Sequence, residues 1–171
     1  MDAALVIVRV IIGLYLAAHG AQKLFGWFGG YGIKGTGGFF ESVGYRPGAL
    51  FATLAGLGEF GGGLLTALGL LSPIGPVLII IVMLNAMFSV HVKHGFMAAN
   101  NGVELPFTNA AAALLLAISG PGAYSIDRII NFSGFADPKS AWIVVGIGIV
   151  IAFLNLFARR PAPAAQPQTQ A

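Results

Sequence analysis

The sequence predicts an all-α membrane protein, a four-helix transmembrane bundle followed by a fifth, C-terminal transmembrane helix. Three observations lead there. Hydrophobic residues make up 57% of the 171-residue chain and charged residues only 9%, where a soluble globular chain carries roughly a quarter. Nine Lys+Arg and six Asp+Glu are too few to solvate a surface of this size. The apolar residues run continuously instead of alternating with period two, which favours helices over barrel strands.

The same composition excludes whole classes of function. A soluble enzyme, a disordered regulator and a coiled coil all need more charge. A net charge of +3 from scattered residues makes no phosphate-neutralising patch, so nucleic acid is not an expected partner. With no cysteine there is no disulfide framework, thiol nucleophile or iron–sulfur ligation. Any redox chemistry must come from a bound cofactor or a partner protein. The lipid bilayer is the first partner this chain requires.

A crossing helix needs about 20 mostly apolar residues. The first run covers residues 3–28 and is followed by a Gly-rich loop from Gly29 to Gly38. Pro47 opens a second run to residue 71, as suits proline in a first helical turn, and Ser72-Pro73-Ile74-Gly75-Pro76 makes an uncharged turn. The third run covers residues 77–97, and a polar connection leads to a shorter fourth at 106–119, ended by Gly120-Pro121-Gly122. The fifth covers residues 141–158 and closes on Arg159-Arg160. The start of the chain carries Asp2 and no early cationic region, unlike a signal peptide. The tail, 161–171, is Pro-, Ala- and Gln-rich and is expected to be disordered. With five spans, Lys34, Arg46, Arg159 and Arg160 share a side opposite Arg128 and Lys139, which predicts a cytoplasmic C-terminus.

The informative residues are those costly to place in lipid. At 100° per residue, Arg9, Gly13, Leu16, His19, Gly20 and Lys23 fall within an arc of about 120°. Small residues on that face let another backbone approach, and the charges then point into the bundle. Arg9, near one end, is expected to snorkel to the interface. Glu59 lies near the middle of the second run, where snorkelling is hardest, with Gly56, Gly63 and Thr66 on its face. A lone carboxylate there costs several kcal/mol, so it either pairs with Lys23, His19 or His91 or stays protonated. His91 and His94 have a spacing that can hold a metal, but no third ligand follows nearby, and no metal is expected. Glu104 stands at the mouth of the fourth helix, where a helix N-terminus favours negative charge. Tyr124 reads as an interface anchor and Asp127 as the N-cap of a short following helix.

These motifs, in this order, resemble the DoxX family of small polytopic membrane proteins. The resemblance rests on Arg9, on His19-Gly20-Ala21-Gln22-Lys23-Leu24-Phe25-Gly26, and on Glu59 with Gly61-Gly62-Gly63. It continues through His91, Gly95-Phe96, Gly102-Val103-Glu104-Leu105-Pro106 and Gly120-Pro121-Gly122-Ala123-Tyr124-Ser125-Ile126-Asp127. It implies a DoxX-like four-helix membrane domain over residues 1–135, an additional helix over 136–160 and a tail over 161–171. It also implies a multi-pass protein of the bacterial inner membrane.

Some members of that family are described as the membrane subunit of a thiosulfate–quinone oxidoreductase, others as partners of antioxidant enzymes. The leading expectation is therefore a membrane subunit or partner of a quinone-linked oxidoreductase system, with a soluble or membrane redox protein as partner. His19 and Lys23 would donate to a quinone oxygen and Glu59 would accept a proton, making these three the catalytic candidates. His91, Glu104, Tyr124 and Asp127 are the candidates for holding the cofactor. Two alternatives stand beside it: an anchoring or assembly protein without chemistry of its own, and a small-molecule or proton-coupled permease. Oligomerisation is left open by the sequence.

Overall fold

The apolar runs become helices whose ends are set by proline, glycine and a few polar side chains. A computed structural model of the chain describes residues 2–135 and 137–160. Helix α1 spans Asp2–Phe25, α2 Gly32–Ser42, α3 Gly48–Leu68 and α4 Ile74–Ala86. α4 runs on through a π-helical turn, Met87–His91, and a tighter 3-10 turn, Val92–His94. There follow α5 (Glu104–Ser119), the one-turn α6 (Ile126–Ile129) and α7 (Pro138–Phe157). No strand occurs among the described residues, and the tail expected to be disordered lies outside them.

Asp2–Phe25, Gly48–Leu68, Ile74–His94 and Lys139–Phe157 are long and apolar enough to cross a membrane. α5 has 16 residues, about 24 Å of helix against a hydrocarbon core of about 30 Å. It packs within the bundle, Ala113 with Ile80 and Met83, and Ala117 with Val77 and Val145. The outside of the bundle is its most apolar part. Ile7, Ile11 and Leu14 on α1, and Ile143, Ile147, Val150 and Leu154 on α7, are exposed at helical spacing. Soluble proteins rarely expose apolar stripes of this extent, and here lipid covers them.

The Gly-rich segment after α1, read from sequence as a loop, instead forms α2. Glycine costs about 1 kcal/mol in a helix interior, so propensity alone argues against this helix. Tertiary contact decides otherwise. A side chain built on Gly37 would lie 3.0 Å from the Ala49 nitrogen, so α2 can rest directly on the first turn of α3. Glu41 Oε1 also accepts from the Gly48 N–H at 3.0 Å, occupying a donor the helix start leaves free. Pro47 is the N-cap of α3 rather than its first helical residue.

Burial in lipid gains little from apolarity, because lipid tails are as apolar as leucine. What can favour one helix contact over another is close packing and polar bonding. The α1–α3 seam supplies both. A methyl on Gly63 would lie 2.5 Å from the Gly13 oxygen and 2.6 Å from the Ala17 nitrogen, and one on Gly13 would meet Ala67. The two backbones therefore touch. Leu16, Ile79 and Ala113, all essentially without exposed surface, fill the space beside that seam.

Arg9 departs from expectation. It does not snorkel: it is 5% exposed and turns inward. Nε donates to the Ala67 oxygen at 3.1 Å, Nη2 to the Tyr124 oxygen at 2.8 Å, and Nη1 to the Pro121 oxygen. The last turn of α3 leaves carbonyls without intrahelical partners, and a cation there also opposes the negative end of the helix dipole. The loop after α5 supplies the other acceptors. Gly69 ends α3 with φ 60°, and any side chain there would run into the guanidinium.

The seam makes a simple test. Gly63→Ala should lower stability by about 1–3 kcal/mol through overpacking against α1. Gly61, on the same helix, has open space around it, and Gly61→Ala should stabilise by about 0.5–1 kcal/mol. Thermal unfolding of both variants in one detergent reads the difference, and equal shifts would reject the seam.

Candidate functional site

Because α1 and α3 approach so closely, their polar residues meet. A side chain on Gly20 would lie 2.7 Å from the Gly56 oxygen, which brings the last turns of α1 onto the first half of α3. Lys23 sits one turn beyond His19 on α1, and its Nζ donates to Glu59 Oε2 on α3. The Glu59 side chain is 4% exposed and that of Lys23 25%. The carboxylate is thus buried while the ammonium reaches an open space.

That space is a cavity of about 460 Å³ between α1, α2, α3, α4, α5 and the segment joining α2 to α3. Its polar contributors include His19, Lys23, Glu59 and His91, and its walls include Leu16, Phe39, Phe40, Val82 and Met83. Tyr15 stacks edge-on against the half-buried His19, with ring centroids 4.7 Å apart. Small polar groups in an apolar cavity of this size match the usual make-up of an organic-ligand site.

Sequence reasoning missed several lining residues. Asn85 Oδ1 accepts from the Tyr45 hydroxyl at 2.9 Å, and its Nδ2 donates to the Ile81 oxygen at 2.8 Å. Ser89 Oγ donates to the Asn85 oxygen at 2.5 Å. The π-helical turn after Ala86 shifts the helical register, and Asn85, Ser89 and His91 all come to line one cavity. Asn85 had a signal, an amide within an otherwise apolar run. Tyr45 had none, since it stands in a connection. Burial pushes the Tyr45 phenol above its ordinary value, partly opposed by Arg159, which keeps it a hydrogen-bond donor at neutral pH.

The other sequence candidates divide. His91 Nδ1 lies 2.7 Å from the Asn101 oxygen; a carbonyl only accepts, so Nδ1 carries the proton and Nε2 is left for another partner. Glu104 does not line the cavity, and its Oε2 accepts from the Ala98 N–H at 2.7 Å, closing the loop between α4 and α5. Tyr124 and Asp127 lie at the far end of the bundle, with Arg9, about 15 Å of helix from His19. Tyr124 is 67% exposed and contributes its carbonyl to Arg9. Asp127 is buried and accepts from the Leu71 and Ser72 N–H groups at 2.8 Å each, pinning the α3–α4 turn. The N-cap of α6 is Ser125, not Asp127: its Oγ accepts from the Arg128 N–H at 3.2 Å. The better cap won because Asp127, one residue on, is drawn to the free N–H groups of the neighbouring turn.

No group of three or more His, Asp or Glu side chains converges on a metal-sized point among the described residues. No buried side-chain nitrogen or oxygen among them is left without a partner. Among the polar groups that line the cavity, the Lys23 ammonium has N–H donors beyond the one given to Glu59.

Comparison with known proteins places these features in a family. The DoxX family profile matches residues 4–92, which include His19, Lys23, Glu59 and His91. The chain is 31% identical to the inner membrane protein YqjF of Escherichia coli over 136 residues, 76% of this chain and 94% of that protein. It is 27% identical to an uncharacterized membrane protein of Mycobacterium tuberculosis over 138 residues, 75% of this chain and 82% of that protein. No solved structure matches the chain significantly.

The ion pair predicts non-additive mutations. Glu59→Gln leaves the Lys23 ammonium without its partner and should cost roughly 3–5 kcal/mol, as for other buried pairs that lose one member. Adding Lys23→Met removes the stranded charge and should restore most of that loss. Thermal stability of the single and double variants in detergent gives the coupling, and additive losses would mean the two side chains do not depend on each other.

Proposed function

This chain belongs to the DoxX family, and from that premise we propose that it is the membrane subunit or partner of a quinone-linked oxidoreductase system. It is a multi-pass inner-membrane protein. The observation that carries the functional reading is Lys23, its ammonium bonded to a buried carboxylate and its side chain a quarter exposed, in an otherwise largely apolar cavity. An apolar ring bearing carbonyl oxygens suits that cavity, and a quinone has that chemistry. A quinone, when bound, would accept two electrons and two protons to become the quinol, and the quinol would release them to become the quinone again.

The chain's own residues have three tasks in this reading. Lys23 and His19 donate hydrogen bonds to a ligand oxygen, and the ammonium favours negative charge as it develops there. Glu59 holds Lys23 in place and can exchange a proton with it across their hydrogen bond. Phe39, Phe40, Leu16 and Met83 keep water away, which strengthens each of those polar contacts. His91 Nε2 offers an acceptor and the second Nδ2 hydrogen of Asn85 a further donor in the same cavity. Glu104, Tyr124 and Asp127 have structural parts in this reading rather than ligand-binding ones.

Residues 1–135 form the DoxX-like unit in this proposal, and α7 is an addition to it, with α5 and α7 both crossing the bilayer. The ends of α1 and α4, the start of α5 and the end of α7 then share one side. That side holds Lys34, Arg46, Lys93, Arg159 and Arg160, and the other holds Arg128 and Lys139. The positive-inside rule makes the first side cytoplasmic and puts the cavity near it. Reporter fusions after Ala171 and in the connection near Lys34 should both report the cytoplasm. Opposite sides would reject the five-span arrangement, and two external reporters would reject the charge assignment.

Mild detergent extraction of the full chain followed by mass spectrometry of retained small molecules tests the ligand. The parent protein should retain a quinone, and the stable Lys23→Met/Glu59→Gln double variant should lose it. A double variant that retains quinone as the parent does, or a parent that retains none and pulls down no dehydrogenase, would leave an anchoring role ahead.

A further inference from the structure

A second cavity, of about 340 Å³, opens where the end of α7 meets the end of α4 and the α2–α3 connection. It is lined by Lys93, Arg159 and Arg160 and by no carboxylate. The only ion pair among the described residues is Lys23–Glu59, so none of these three cations is neutralised by a neighbour. Glu41, next to the lining residue Ser42 in sequence, is not part of the lining, and its Oε1 accepts from the Gly48 N–H. Three like charges lining one small cavity repel one another unless an anion joins them.

The cavity is also built rather than incidental. Arg159 Nε donates to the Val43 oxygen at 2.9 Å, and its guanidinium lies over the Tyr45 ring, 5.7 Å from the centroid. The Arg160 N–H donates to the Gly44 oxygen at 2.8 Å. The planar fork of Arg159 is thus held in place before any ligand arrives, and a guanidinium matches the oxygens of a phosphoryl group. We propose that this cavity binds a phosphoryl anion at the membrane boundary, presented either by a phospholipid headgroup or as free phosphate. Ile151 and Asn155, up to two turns earlier on α7, line an apolar groove of about 290 Å³ beside α3 and α4, where an acyl chain fits. Val43 and Ser89 line both this cavity and the one holding Lys23 and Glu59, so an anion here also braces a wall of that site.

The test uses the full chain in phosphatidylcholine nanodiscs with and without phosphatidylglycerol, and in detergent titrated with inorganic phosphate. Native mass spectrometry reads retained lipid and thermal unfolding reads protection. Each basic side chain near an anionic group contributes about fivefold, so Lys93→Gln/Arg160→Gln should weaken binding about 30-fold. Lys93→Arg/Arg160→Lys keeps the charges and should bind as the parent does, which separates lost charge from damaged folding. Retention of phosphatidylglycerol alone identifies the lipid headgroup, and protection by inorganic phosphate alone identifies a soluble anion. Neither effect in the parent, or equal binding by parent and the Gln variant, overturns the proposal.

Discussion

The contact of α1 with α3 through bare backbone is the constraint from which the rest of this bundle follows. Gly13 and Gly20 on one helix meet Gly63 and Gly56 on the other, with no room for a side chain between. In water, burial of leucines would hold two helices at an ordinary distance. In lipid that gain is absent, and dispersion between closely packed backbones takes its place. The closeness has a chemical consequence. It sets the Lys23 ammonium against the buried Glu59 carboxylate.

The polar residues within the bundle serve two ends of it differently. At one end Arg9 and Asp127 each bind backbone groups that helix termini leave free, on α3, on the α3–α4 turn and on the loop after α5. Three of the five Arg9 N–H groups and both Asp127 oxygens bond to the protein backbone. At the other end the Lys23–Glu59 pair borders open space, and its neighbours are aromatic rings and side-chain hydroxyls and amides. Charge that serves structure is enclosed by backbone carbonyls and N–H groups. Charge that borders a cavity keeps donors in reserve, which is why the ligand reading is placed there.

α7 does more than lengthen the bundle. Gly148 lets Val77 of α4 approach it, and Phe153 lies against Phe88 with centroids 5.8 Å apart. Beyond its last turn, Arg159 and Arg160 bind Val43 and Gly44, in the segment that carries Tyr45 into the cavity wall. α7 thereby holds a segment of the main cavity's wall without placing a residue of its own in that cavity.

Much of the fold was legible in the amino-acid sequence, because a bilayer leaves so few choices. Continuous apolar runs must form helices there, and Pro and Gly clusters mark their ends. Glu59, Lys23 and His19 were legible as a group because polar side chains in such runs are costly, and helical spacing put them on glycine-bearing faces. The formation of α2 was not legible, since its four glycines argue for a loop until α3 is present to rest on. Nor was the fate of Arg9, where the same side chain can reach either water or three carbonyls brought together from distant parts of the chain. The cationic cavity at Arg159 likewise needs the end of α7 brought to the α2–α3 connection. Composition and spacing determined which segments are apolar helices and which residues needed partners; tertiary packing decided who the partners are, because a hydrogen bond between residues a hundred positions apart depends on distances that no local pattern encodes.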